Sequence, residues 1–180
     1  FTTDELVYCL NKVQCKALIM ADQHKRQNYL NVQVGYTELG ASHESIASAR
    51  IPSLKKIVLL SDTKEPGMIL WGDMMSQVMP QTHYYPGIRA GAIIKRDDAV
   101  NIQFTSGTTG YPKGVTLSHH NVLNNGYYIG EALQVTEKDS ICNPTPLFHC
   151  FGMVIGNLVA LNHAAQIVYP SPSFDARATL

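Results

Sequence analysis

The chain has 180 residues, with 14 lysines and arginines against 14 aspartates and glutamates, and 45% of it is hydrophobic. That length suffices for one domain with a buried core, while the even charge balance sets up no global field for nucleic acid or an anionic membrane surface. No run of about 18 apolar residues exists to span a membrane. Cys9, Cys15, Cys142 and Cys150 form no C-x-x-C pair, so they read as reduced or buried thiols of an intracellular protein rather than a disulfide framework.

In chain order, Thr2-Thr3-Asp4-Glu5 predicts a helix start, with Thr2 as cap and Glu5 three places on, and Leu6, Leu10 and Val13 then share one face. Lys16–Met20 and Lys56–Leu60 read as short buried strands; the consecutive apolar residues of the second suit a strand covered on both faces. Between them the patterning is weak, with helix expected only around Asn28–Val34 and Glu44–Ala49. Glu65-Pro66-Gly67 is a turn, Asp73–Val78 a short helix, and Met74, Met75 and Met79 are read as core filler. Gln81–Arg96 reads as connection. Ala99–Phe104 and Val115–Leu117 are strands, and Ser118 caps a helix whose face holds Val122, Gly126, Ile129 and Leu133. Gly126 and Gly130 each cost about 1 kcal/mol relative to Ala there, so close packing against a neighbour is expected to compensate. Asp139–Asn143 is a strand or turn, Phe151–Leu161 a helix apolar on nearly all sides and so deeply buried, Gln166–Tyr169 a strand, and Asp175-Ala176-Arg177 a helix start. Alternating strands and helices predict an α/β layered domain with a mainly parallel sheet flanked by helices.

The stretch with chemistry in it is Thr105-Ser106-Gly107-Thr108-Thr109-Gly110-Tyr111-Pro112-Lys113-Gly114. Its glycines free the backbone to bend and approach a ligand, the hydroxyls of Thr105, Ser106, Thr108 and Thr109 can donate to phosphate oxygens, and Lys113 adds a mobile positive charge. The order of residues is not Walker A, because Lys113 follows Pro112 and precedes Gly114. The expectation is a loop between two strands that closes over phosphates, with no helix N-terminus aimed at them; the plain alternative is a Gly/Thr-rich surface turn.

Those ten residues resemble the phosphate-loop signature of the adenylate-forming superfamily, which holds acyl-CoA synthetases, aryl-CoA ligases, luciferases and peptide-synthetase adenylation domains. The likeness runs from Asp98 to Asn125, and Thr116-Leu117-Ser118-His119-His120-Asn121 is similar to the segment that follows the loop in acyl-CoA synthetases. A second block, Pro146-Leu147-Phe148-His149-Cys150-Phe151-Gly152, resembles the aromatic-His motif of the acyl pocket. Medium-chain fatty acyl-CoA synthetases, mitochondrial members included, look most similar.

The resemblance implies part of the large N-terminal domain of such an enzyme, with residues 1–180 an incomplete piece of a single AMP-binding (adenylation) domain and the small C-terminal domain absent. It implies ATP, Mg²⁺ and coenzyme A as reaction partners, a fatty acid as substrate, and a mitochondrial matrix location. It assigns Thr105–Gly114 to the β- and γ-phosphates and Phe148, His149, Phe151 and Gly152 to the acyl pocket. The superfamily's Tyr-Gly-x-Thr-Glu motif, ribose-binding aspartate and C-terminal catalytic lysine have no counterpart before Leu180, so no catalytic residue is assigned and the piece alone is expected not to turn over. The chain starts on Phe1 and is expected to be internal to a longer protein, so the lack of a leader says nothing about compartment.

Other readings stand beside these. His149 could be a core histidine with one ring nitrogen met by backbone. Cys150, among apolar neighbours, reads as a thiol made inert by burial. His119 and His120 suit no common zinc spacing and fit a solvent-touching first helical turn, and no G-x-S-x-G elbow is present. Asp97 and Asp98 read as solvated rather than as ligands of an ion. An aryl-CoA ligase, a carrier-protein loader or a non-catalytic nucleotide-binding scaffold would carry the same loop, and oligomeric state is not readable.

Overall fold

A computed structural model of the protein describes residues 2–24, 27–30, 48–77, 93–105 and 110–180. The chain divides into two units, Phe1–Ala90 with Gly107–Pro112, and Gly91–Ser106 with Lys113–Leu180.

In the first unit, helix α1 (Thr3–Lys12) starts as the sequence predicts. The Thr2 hydroxyl accepts from the Glu5 N–H at 3.3 Å and the Glu5 carboxylate accepts from the Thr2 N–H at 2.7 Å, a reciprocal cap. That backbone N–H, and then the Thr2 hydroxyl, hold the Glu5 carboxyl below its ordinary value. Strand β1 (Ala17–Ala21) is followed by a short antiparallel hairpin, β2 (Gln23–His24) and β3 (Gln27–Asn28). β4 (Lys56–Leu60) lies parallel to β1, pairing Ala17 with Lys56 through Ala21 with Leu60, and β5 (Ile69–Leu70) joins its other side in parallel before helix α2 (Trp71–Gln77). Ile57, Val58 and Leu59 are buried in succession, and the core joins Leu10, Ile51, Leu54, Ile57, Leu59 and Met68. Burial, then the Glu5 charge, raise the Cys9 thiol above its ordinary value.

Some expectations in this unit change. Asn28 is in a strand, not a helix, and its side-chain oxygen accepts from the Leu30 N–H at 2.8 Å, a local bond that competes with helical winding. Ser48 and Ala49 are not helical either; the Ser48 hydroxyl accepts from the Ile51 N–H. The remainder of both expected helices, residues 31–34 and 44–47, lies outside the described residues, as do Val78, Met79 and positions 81–92. Met75 is 50% exposed, so it is not core filler: α2 has only seven residues and turns Met75 outward.

In the second unit, β6 (Ala99–Thr105) and β7 (Lys113–Ser118) form an antiparallel hairpin with a bulge between Ala99 and Asn101. Ser118 caps helix α3 (His119–Leu133) by accepting from the Asn121 N–H, while the Asn121 side chain accepts from the Ser118 N–H. β8 (Ser140–Cys142) runs parallel to β9 (Gln166–Val168), and helix α5 (Ala176–Thr179) is capped by Asp175. Between the two strands the apolar run is not one α-helix. It is a π-helix (Phe151–Leu158) followed by one turn of α-helix, α4 (Val159–Asn162). It is not buried on all sides: Val159 and Ala160 are fully enclosed, whereas Phe151 and Leu161 are 51% and 67% exposed. Both units thus carry parallel strand pairs with helices packed beside them, the α/β class read from the sequence.

The glycines of α3 mark that packing. A Cβ on Gly126 would stand 2.8 Å from the Leu158 Cβ, and one on Gly130 would enter the His163 ring. That ring cannot swing aside freely: Nδ1 lies 3.0 Å from the Val159 carbonyl, Nε2 lies 3.3 Å from the Glu131 carboxylate, and Tyr127 stacks on it. Gly130→Ala should therefore destabilise by about 1–3 kcal/mol despite Ala's better helix propensity. Gly72→Ala in α2, with nothing within 4 Å of its added methyl, should be neutral or stabilising. Urea unfolding of both variants checks the contrast.

Candidate functional site

In sequence, the residues expected to hold phosphate run from the end of β6 to the start of β7. The last rung of the β6–β7 hairpin pairs Thr105 with Lys113, so a hydroxyl and an ammonium leave adjacent strand ends, both exposed. Ser106, Gly107, Thr108 and Thr109 lie outside the described residues. Gly110 has φ +127°, a conformation L side chains rarely adopt, so glycine is needed there for the backbone itself. Gly114 sits closely packed: a Cβ would come within 3.3 Å of side-chain atoms of both Ile102 and Phe104 across the hairpin, which would have to shift by a few tenths of an ångström. Pro112 is buried. Within the first unit Tyr111 stacks on Tyr8 of α1 with ring centroids 4.6 Å apart, and the Lys12 ammonium lies 5.5 Å from the Tyr8 ring centre. Sequence reasoning missed Tyr8, because nothing local to α1 distinguishes it from any other helix tyrosine.

The start of α3 offers no free donors to an anion. The His119 N–H goes to the Asp98 carbonyl, the His120 N–H to the Arg96 carbonyl and the Asn121 N–H to Ser118. The first three N–H groups of the helix, which lack partners within it, are thus already bonded. His120 is exposed in that first turn and contacts Arg96 and Asn124. Asp97 is exposed, and Asp98 accepts from the Lys95 N–H.

The second block lies between β8 and the π-helix. Phe148 is 85% exposed, and His149 is exposed too, which overturns the core-histidine alternative. The Phe151 N–H donates to His149 Nδ1 at 3.1 Å. Because a backbone N–H can only donate, Nδ1 must carry the lone pair and the neutral ring holds its proton on Nε2. His149 therefore presents an N–H donor outward. Cys150 Sγ lies 3.7 Å from the same Nδ1 and is exposed, so the apolar burial expected of this thiol is absent. Gly152 is buried under the carbonyls of Thr145 and Pro146, where any Cβ would collide.

Behind Cys150 runs an apolar groove of about 460 Å³, walled by Leu117, Val122, Asn125 and Ile129 on one side and by Cys150, Val154 and Ile155 on the other. Of the four pocket residues read from the sequence, the described structure buries Gly152 and leaves Phe148, His149 and Phe151 exposed. The groove walls from α3 were missed. Their signal in the sequence is the helical face that holds Val122 and Ile129.

This fold and this pair of motifs agree with what the chain is similar to. A family model described as AMP-binding enzyme matches residues 1–180, and the chain belongs to that family. It is 38% identical over 184 residues to a medium-chain acyl-CoA ligase, ACSF2, mitochondrial, of Danio rerio, covering all of this chain and 30% of that protein. The chain thus spans about 30% of the length of the curated relatives it matches. Among solved structures, the anthranilate CoA ligase AuaEII in complex with anthranoyl-AMP matches 95% of this chain with a TM-score of 0.73 at 21% identity, over 29% of its own length. ATP-bound MatB from Rhodopseudomonas palustris matches 97% with a TM-score of 0.65 at 21% identity, over 29% of its length. At that identity the two structures speak for the fold alone.

The His149 arrangement is open to direct test. In the intact protein with this ring neutral, the ¹⁵N shift of His149 Nδ1 should be that of an unprotonated acceptor and that of Nε2 that of an N–H; the opposite tautomer would remove the Phe151 bond.

Proposed function

We propose that the protein to which this chain belongs activates a fatty acid, in the medium-chain range, to its CoA thioester, and that residues 1–180 are an incomplete part of its single N-terminal adenylation domain. A carboxylate oxygen of the acid attacks the α-phosphorus of ATP, pyrophosphate leaves, and the thiol of coenzyme A then displaces AMP from the acyl carbon. The barrier of the first step is the approach of an anion to a polyphosphate, so positioning and charge neutralisation do most of the work.

In this reading Thr105, Ser106, Gly107, Thr108, Thr109, Gly110, Tyr111, Pro112, Lys113 and Gly114 hold the β- and γ-phosphates, with hydroxyl and amide donors along the loop and Lys113 as the charge. What supports it is the Thr105–Lys113 rung, which puts both donor types at one hairpin end, exposed and with no ion pair on Lys113 among the described residues. Mg²⁺ enters with ATP, held by phosphate oxygens as this ion prefers; Asp97 and Asp98, at the far end of β6, are engaged or solvated. Phe148, His149, Phe151 and Gly152 border the acid, His149 offering its Nε2–H and the groove behind Cys150 taking the alkyl chain, since an acyl chain needs an apolar wall. The mitochondrial name of the Danio rerio relative supports a matrix location.

An aryl-acid or carrier-protein substrate would leave the phosphate loop unchanged and alter the acid pocket. A scaffold reading differs more sharply, because it makes Lys113 dispensable. ATP–pyrophosphate exchange driven by octanoate separates them. Lys113→Ala in the full-length protein should slow exchange by roughly 10- to 100-fold, in the range of a lost hydrogen bond to a charged group, and residues 1–180 alone should show none. Unchanged exchange in the variant, or exchange by the fragment, would count against the division of labour set out here.

A further inference from the structure

The π-helix is a rare winding, found frequently at functional sites, and this one is braced from outside by Asn143. That residue follows β8 directly, its own N–H donates to the Val168 carbonyl at 2.8 Å, and it is only 5% exposed. Its amide nitrogen donates to the Gly152 carbonyl and to Asn157 Oδ1, both at 2.9 Å, and its oxygen accepts from the Thr145 hydroxyl at 2.7 Å. The Tyr169 hydroxyl reaches the same Asn157 oxygen at 3.0 Å. Gly156 is shaped to this amide, because a Cβ there would overlap it, and Gly152 is shaped to the Thr145 and Pro146 carbonyls. One buried side chain therefore ties the first and second turns of the π-helix to the strand that precedes it. His149, Cys150 and Phe151 lie on the segment between Asn143 and the first of those ties, at Gly152.

We infer that Asn143 is the positioning residue of the acid site: by holding the π-helix through Gly152 and Asn157, it sets where His149 and Phe151 stand and hence how tightly the acid is held. This rests on the proposal that the Phe148–Gly152 segment borders the acid.

Three variants of the full-length protein test it. Asn143→Asp keeps the shape and loses the donor. Gly156→Ala displaces the amide. Thr145→Val removes only the hydroxyl that orients it, and keeps the test open where an Asn143 variant does not fold. Octanoate-dependent ATP–pyrophosphate exchange is measured against both substrates, with thermal melting alongside. The first two should raise KM for octanoate about five- to tenfold, as loss of a buried hydrogen bond implies, with KM for ATP within about twofold, and Thr145→Val should move the same parameter less. Unchanged octanoate KM, or a fall in kcat alone that tracks lost folded protein, would overturn the assignment. Absence of octanoate-dependent exchange in the unsubstituted enzyme would instead sink the proposed function, so the two failures are distinguishable.

Discussion

The close approach of α3 to the π-helix and α4 is the constraint on which the second unit depends. Helices with ordinary side chains at the contact stand about 8–10 Å apart; Gly126 and Gly130 remove the Cβ atoms that would hold these further off. The space is filled from the other side, by Leu158 at Gly126 and by the His163 ring at Gly130. Because α3 is also tied at its start to Arg96 and Asp98, the contact fixes the hairpin and the π-helix against one frame. Met153 adds a direct link, its sulfur lying 3.4 Å from the Gln103 amide on β6. The phosphate-loop strands and the aromatic-His block are thereby held by a single helix.

Much of this was legible because the determinants are local. Thr2 with Glu5 and Ser118 ahead of α3 announce helix starts through side-chain bonds that span three residues. Ile57, Val58 and Leu59 announce a covered strand by having no polar alternate. The glycine spacing in α3 announced tight packing before the partner was known. What stayed hidden was set by contacts far along the chain. β5 has only two residues and is a strand because β4 lies beside it. The run from Phe151 is too uniformly apolar for periodicity to separate α from π winding, and Asn143, which bonds to it, precedes it by eight positions in a segment that reads as strand or turn. The Tyr8–Tyr111 stack joins residues about a hundred positions apart, beyond the reach of any motif.

The candidate site divides the same way. Which residues carry donors and charge between Thr105 and Gly114 is a matter of residue type, so the sequence suffices. Why two of the glycines are there is not: Gly110 answers a backbone angle and Gly114 answers Ile102 and Phe104. A glycine-rich phosphate loop is thus partly a packing device, and ligand contact need not account for every glycine in it. At the aromatic-His block the exposure of Phe148 and His149 runs against their apolar neighbourhood in sequence, because the Thr145–Pro146 backbone, not those rings, covers Gly152.

The use made of the helix start bears on mechanism. A helix N-terminus is a ready anion site when its N–H groups are free, and a strand–loop–helix order would have supplied one. Here the second strand intervenes, and the first three N–H groups of α3 are met by Asp98, Arg96 and Ser118. The N–H groups that would make such a site are therefore already bonded at α3, and the donors left exposed at this end of the hairpin, among the described residues, are those of Thr105 and Lys113.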